Sequence, residues 1–372
     1  MTRVLVATDK FKGSCDATQV GASVAAGIRG RCDEVSLDTC PVADGGDGTV
    51  AAAVAAGYTR VPVLACGPTG EPVWTSYARS GRLAVVELAD VSGLQRLPGG
   101  KPAPMAATSR GTGEVIAAAI GAGCTSIVLG VGGSACTDGG AGMLQALGAR
   151  LLDTQGVDLP DGGSALARLV EIDTAALREQ LHGVDVVVAC DVDNPLTGPS
   201  GAAAVYAPQK GADATQVQQL AAGLRRLADL VADVTGVEHR QAPGSGAAGG
   251  VGFAAIALLG ARFRSGIDLV LELVGFHERL CGTQLVVTGE GSLDVQTLRG
   301  KAPAGVAAAA VRRGLPVVAV CGHNTLTAEQ LRNAGIVTAY PLSELEPDTQ
   351  RSMVDAAVLL ERIGENIARE HL

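Results

Sequence analysis

The chain has 372 residues, 47% of them apolar and 2% aromatic, with 29 Lys and Arg against 38 Asp and Glu for a net charge of −9. That length exceeds one ordinary domain and predicts two, while the acidic balance and the lack of rings for base stacking argue against nucleic acid and anionic membrane as partners. No apolar stretch approaches the roughly 20 residues of a bilayer span, and nine scattered cysteines without a C-x-x-C pair predict reduced thiols in a cytoplasmic protein.

In chain order, the β-branched run 3–7 (RVLVA) reads as a strand, too short for a secretory signal. Residues 16–30 have helical spacing and a closing glycine. A second strand runs into a glycine-rich loop at 43–49 and then a helix, the alternation of a parallel sheet. At about Thr59 the pattern changes. Strand-like runs broken by Gly-Pro and Gly-Glu turns follow one another without a helix, as antiparallel hairpins require. Helices and strands then alternate through VDVVVACDV (184–192), and a long amphipathic helix occupies 215–236. From Thr283 the first pattern returns as three strands and three helices. Two early and three late strands predict a discontinuous, doubly wound parallel sheet built from 1–58 and 283–372. An inserted mixed α/β domain fills 59–282.

Six polar, glycine-rich loops punctuate these elements: DKFKGS (9–14), ADGGDGT (43–49), GVGGSACTDGGAG (130–142), DVDNPLTGPSGA (191–202), GSGAAGGVG (244–252) and GEGSLD (289–294). One such loop is a tight turn; six exceed what turn geometry requires, and ligands bind at the carboxyl ends of parallel strands. Asp44, Asp47, Asp138, Asp191, Asp193, Glu290 and Asp294 fall in these loops. Any one can cap a helix. Grouped near phosphate they repel it unless a cation such as Mg²⁺ intervenes. Lys10, Lys12, Lys210 and Lys301 sit in or beside the same loops, where a cation can neutralise a transferring phosphoryl group. The alternative for each lysine is a solvated surface tip. Residues 130–135 with Asp153 also fit a dinucleotide fingerprint, but the following helix is delayed by CTDGGAG. Neither G-x-x-x-x-G-K-[ST] nor G-x-S-x-G occurs, which disfavours a P-loop NTPase and an α/β-hydrolase.

Taken together, FKGS, PVADGGDGT, GVGGSACTDGGAGMLQALGA, CDVDNPLTGPSGAA with PQKGA, GSGAAGGVG and VVTGEGSLDVQTLRGKAPAGVA resemble the bacterial glycerate kinase family of class I, in order from residue 3 to beyond 320. The resemblance implies ATP-dependent phosphorylation of D-glycerate, usually at the 2-hydroxyl to give 2-phosphoglycerate. It also implies two α/β domains, one flavodoxin-like, with sheet order 2-1-3-4-5. Departures from the family pattern stand at Lys10 (usually serine), Asp47 (usually glutamate), Cys136 and Thr137, and Ser292 (usually arginine). They bear on the choice of acid substrate.

For this activity ATP is expected in a cleft between the domains. The backbone N–H groups of Gly132, Gly133, Ser134, Gly139 and Gly140 would hold phosphate oxygens, with the Ser134 and Thr137 hydroxyls and Lys210 assisting. Asp191 with Asn194 beside it is the first choice for Mg²⁺, and Asp138 the second. Lys12 and Lys301 are expected at the transferring phosphoryl group or the glycerate carboxylate. Asp44, Asp47, Glu290 and Asp294 compete to orient the hydroxyl. The expected partners are D-glycerate and ATP, in a monomer or homodimer. Formation of 3-phosphoglycerate, or a non-catalytic nucleotide or anion sensor on the same fold, are the alternatives.

Overall fold

The computed structural model describes residues 2–372; Met1, the first residue of the expected 1–58 segment, lies outside the described residues. In chain order the strands are β1 (Thr2–Thr8), β2 (Val35–Thr39), β3 (Thr59–Cys66), β4 (Pro72–Ser80), β5 (Leu83–Glu87), β6 (Ser126–Gly130) and β7 (Arg150–Leu152). They continue with β8 (Glu171–Asp173), β9 (Asp185–Ala189), β10 (Arg262–Arg264), β11 (Leu285–Leu293), β12 (Val317–Asn324) and β13 (Thr338–Pro341). By contacts the chain divides into two units. The first comprises the residues up to Asp44, Ala51–Gly57 and Ser265–Leu372; the second comprises Gly45–Val50 and Tyr58–Arg264.

The first unit contains a five-stranded sheet of order β13-β12-β11-β1-β2, with every pairing parallel. Counted within the unit this is the doubly wound order 2-1-3-4-5. Val4, Leu5, Val6 and Ala7 of β1 are all fully buried, an unbroken apolar run because helices cover both faces of the sheet. Successive side chains still alternate between those faces. Leu5 and Ala7 join Val286, Val306 and Val317, while Val4 and Val6 join Val24, Val287, Leu360 and Ile363. The helix Ala17–Arg31 starts at a capping box in which Asp16 accepts the Gln19 N–H and the Gln19 side chain accepts the Asp16 N–H.

The second unit contains a six-stranded sheet of order β10-β9-β6-β5-β4-β3. Strands β3, β4 and β5 pair antiparallel, as the closely spaced turn signals predict, and β5, β6, β9 and β10 pair parallel. The helix Ala214–Thr235 runs from a capping box at Asp213 to a left-handed Gly236 and turns Leu220, Leu224, Leu227 and Val231 into the core. A separate antiparallel pair, β7 with β8, was not legible in the hydrophobic pattern, because each strand is three residues long.

Three segments differ from expectation. Residues 45–50 group with the second unit because Glu87, at the end of β5, accepts the N–H groups of Gly48 and Val50 at 3.0 and 3.1 Å. Residues 265–282, expected in the insertion, group with the first unit. There Ile267 packs so closely on the helix Ala302–Val311 that a Cβ on Gly305 would lie 2.4 Å from its Cγ1. The stretch GEGSLD, expected as a loop, is strand as far as Leu293, since its backbone continues the ladder to β12 through Ser292 and His323. No helix among the described residues is long and apolar enough to cross a membrane.

Candidate active site

In the second unit, β6 ends at Gly130 and a short helix, Ala141–Ala146, begins after Gly140. Asp138 lies between them, fully buried. It accepts the Ser109 N–H and hydroxyl at 2.8 Å each, the Gly140 N–H at 3.1 Å and the Gly142 N–H at 3.2 Å. The Gly139 N–H donates to Gly249 O at 3.0 Å. These bonds correct two expectations. Asp138 serves the loop's own donors, which a buried carboxylate requires, and does not point to a metal. The N–H groups of Gly139 and Gly140 are engaged inside the protein and do not hold phosphate.

Lys210 is corrected in the same way. It is 2% exposed, and its ammonium donates to Ser134 Oγ at 2.9 Å and to the Cys136 carbonyl. Burial pushes its pKa below the ordinary lysine value, with the Cys136 and Asp138 side chains opposing that shift. Lys210 therefore braces the loop from within. What the loop leaves open is its tip. The N–H groups of Gly132 and Gly133 donate to no protein acceptor among the described residues, and Gly133 is exposed. Thr137 Oγ1 is buried without a hydrogen-bond partner.

The glycines of this loop also have packing reasons. A Cβ on Gly132 would lie 2.8 Å from Gly46 Cα, and one on Gly139 would lie 2.4 Å from Leu227 Cδ2. The loop 244–252 interlocks with it. Ala248, Gly249 and Gly250 all take left-handed backbone, and Ala248 is the one non-glycine residue with positive φ among the described residues. A Cβ on Gly249 would meet Cys136 O at 2.1 Å.

Beyond β9, Asp191 and Asp193 are exposed. Asn194, expected beside the metal, fastens the loop: its Nδ2 donates to Ser200 O at 2.9 Å and its Oδ1 accepts the Tyr206 hydroxyl at 2.6 Å. Asp153 accepts the N–H groups of Gln155 and Val157 on Oδ1, closing a turn. Asp47 accepts from Gln95 Nε2 at 3.4 Å. Nearby Glu87 is 4% exposed; burial pushes its pKa up to about 7, with Asp90 and Asp47 adding and the Val50 and Gly48 N–H groups opposing. Among the described residues no group of three or more His, Cys, Asp or Glu side chains is placed to hold a metal ion.

In the first unit, neighbouring parallel strands bring three carboxyl groups to one edge. Asp9 directly follows β1, and its N–H donates to Gly289 O at 2.8 Å. Glu290 lies next along β11. The chain after β2 continues beside β1, with Val42 N–H on Thr8 O at 3.1 Å, and so leads to Asp44. Glu290 Oε1 accepts the Thr297 hydroxyl, and its Oε2 lies 3.5 Å from Lys301 Nζ. Burial raises the Glu290 pKa, against Thr297 and Lys301. Asp294, expected to orient a hydroxyl, accepts the Gln296 and Thr297 N–H groups on Oδ1 as the cap of a turn. Lys12 is exposed, on a tight turn closed by Phe11 and Cys15. A Cβ on Gly291 would lie 3.5 Å from Lys12 N, so β11 and the Lys12 turn share this edge.

Asp9 was missed by reasoning from sequence. The signal was present, an acid immediately after the first strand, but DKFKGS draws the eye to its lysines. The residue is 9% exposed. Burial pushes its pKa up to about 7; the Lys10 ammonium and N–H oppose, and Asp44 and Glu290 add to the shift.

The glycerate kinase family model matches residues 4–372. A glycerate kinase of Bacillus subtilis (strain 168) is 41% identical over 98% of this chain and 97% of its own length. A glycerate 2-kinase of Escherichia coli (strain K12) is 41% identical over 91% of this chain and 90% of its own. A crystal structure from Salmonella typhimurium LT2 superposes with a TM-score of 0.85 at 39% identity, covering 99% of this chain and 97% of that one.

Proposed function

The chain belongs to the glycerate kinase family, and from that premise we propose that it transfers the γ-phosphoryl group of ATP to the 2-hydroxyl of D-glycerate, releasing ADP and 2-phosphoglycerate. The observation that carries this reading is likeness along the whole chain to relatives named glycerate kinase, one of them glycerate 2-kinase.

Phosphoryl transfer asks a protein chiefly for positioning and charge neutralisation. In this reading the open N–H groups of Gly132 and Gly133 and the unpartnered Thr137 hydroxyl donate to phosphate oxygens. Lys301 and Lys12 attract the glycerate carboxylate and the arriving phosphoryl group. The oxygen donors of Asp191, with Asp193 beside it, suit Mg²⁺, which prefers one or two carboxylates plus phosphate oxygens. When bound, Mg²⁺ supplies positive charge to the phosphates. All nine cysteines are unpaired thiols, which fits a reducing compartment and supports a cytoplasmic location.

The test is turnover of ATP and D-glycerate by the purified protein, with the product identified by phosphorus NMR. One ADP per 2-phosphoglycerate is expected, with activity abolished by excess chelator. Asp191→Asn should lower kcat by roughly 100-fold or more, the worth of a lost metal-positioning charge. A 3-phosphoglycerate product would overturn the regiochemistry, and nucleotide binding without turnover would favour a sensor. An undiminished rate in chelator would remove the role of Mg²⁺.

A further inference from the structure

The acids at the edge of the first sheet differ in what their oxygens touch. Glu290 has one oxygen on the Thr297 hydroxyl and the other toward Lys301. Asp294 takes two N–H groups of its own turn on Oδ1 alone, and is only half-buried. Asp9 is buried. Its Oδ1 accepts the Lys10 N–H at 2.6 Å, while its Oδ2 takes no hydrogen bond from any described residue. The carboxyl is also fixed in place. Its own N–H is tied to Gly289 O, and Val42 N–H holds the preceding Thr8 carbonyl. One oxygen is thus spent on orientation, and the other accepts from none of the described residues.

We propose that Asp9 is the proton acceptor for the attacking hydroxyl of the acid substrate, with Oδ2 as the receiving atom. This rests on the reading of the chain as a glycerate kinase. As the substrate oxygen forms its bond to the γ-phosphorus, its O–H bond breaks toward Asp9. The bond from the γ-phosphorus to the bridging oxygen breaks, and its electron pair leaves with ADP. Asp9 later returns the proton to water. The charged groups facing Asp9 are Lys10 on its own loop, Asp44 beyond β2 and Glu290 on β11, the last neutralised in part by Lys301. Burial and the two acids hold the Asp9 carboxyl near neutrality, at about 7, where a general base combines availability with driving force.

The experiment compares the full-length protein with Asp9→Asn and Asp9→Glu for kcat, glycerate KM, pH dependence and thermal midpoint. For Asp9→Asn, kcat should fall by roughly 100- to 10,000-fold, as loss of a general base does. Glycerate KM should change by no more than about threefold. The fall in wild-type kcat as pH drops through about 7 should disappear from whatever activity remains. The thermal midpoint at pH 8 should match or exceed that of the wild type, since Asn needs no charge in this buried position. Asp9→Glu should restore part of kcat with a shifted acid limb, and it carries the same test if Asp9→Asn fails to fold. A wild type that does not phosphorylate glycerate overturns the functional reading. A competent wild type with Asp9→Asn or Asp9→Glu retaining kcat within about fivefold and an unmoved acid limb overturns the Asp9 assignment alone.

Discussion

The ammonium of Lys210 donates to the Ser134 hydroxyl at 2.9 Å, both side chains buried. Lys210→Met keeps most of the stem but leaves Ser134 Oγ and the Cys136 carbonyl without their donor. Each unsatisfied buried group costs about 1–3 kcal/mol, partly offset because a buried charge is removed, so the net loss of stability should be roughly 1–3 kcal/mol. The loop tip should loosen, raising the KM for ATP more than kcat falls. Urea denaturation and steady-state kinetics check this, and an unchanged midpoint with unchanged KM would show that Lys210 does not support the loop.

Two glycines on the interlocked loops should respond to the same added methyl group to very different degrees. Gly249→Ala forces a Cβ to 2.1 Å from a backbone oxygen at positive φ, with nothing flexible to yield. That variant should lose several kcal/mol or fail to fold, as overpacking against backbone does. Gly133→Ala meets only Ala89 Cβ at 3.2 Å. Its left-handed φ should cost about 1–2 kcal/mol, leaving a folded protein whose ATP affinity is weakened by the crowded tip. Calorimetry with ATP on folded Gly133→Ala is the measurement; wild-type affinity would mean that the tip does not touch phosphate.

Lys301→Met and Lys12→Met test the edge of the first sheet. Lys301 is 32% exposed at its ion pair with Glu290, and such partly solvated pairs contribute little to stability. Thermal midpoints should therefore move little while kcat/KM for glycerate falls strongly in each variant. If both cations contact one ligand, the double variant should lose less than the sum of the two. Small, additive effects would assign both lysines to solvent.

Glu87 makes a pH prediction. Its folded pKa, about 7, lies above its ordinary value of 4.5. A raised carboxyl contributes stability that is full below about 4.5 and lost as pH climbs through 7. The loss should be roughly 3 kcal/mol across that window, because each tenfold change in proton affinity is worth about 1.4 kcal/mol. Asp9 adds a loss of the same sign over nearly the same range. Glu87→Gln should flatten the stability curve between pH 5 and 8 by the Glu87 share and, by breaking one of the two N–H bonds, lower the plateau. Denaturation midpoints across pH measure both, and an unaltered slope would place the Glu87 carboxyl in its ordinary range.

The five strands of the first unit were readable from local pattern, and their order came with the family resemblance. The β-branched runs at 3–7 and 285–288 and the helices between strands are properties of residues a few positions apart, and right-handed crossovers leave few ways to assemble them. The neighbourhood of β1 and β11, and hence of the Lys12 and Lys301 loops, followed from that order. The glycine-rich loops were also readable as the places where chemistry gathers.

Which polar group in each loop is open to a ligand was decided only by the tertiary structure. Asp138 looked like a metal ligand until Ser109, 29 residues away, filled its carboxylate. Lys210 looked like a phosphate-binding cation until Ser134, 76 residues away, took its ammonium. Asp9 drew no reading in the sequence and stood out only once its buried carboxyl proved to have an oxygen, Oδ2, that accepts from no described residue. The amino-acid sequence alone determined most of the secondary elements and the loops that carry acids, lysines and glycines, because period, turn chemistry and composition act locally. The folded protein decided which of those groups brace the backbone and which remain free to react, because burial and hydrogen-bond partnering depend on residues that only the fold brings together.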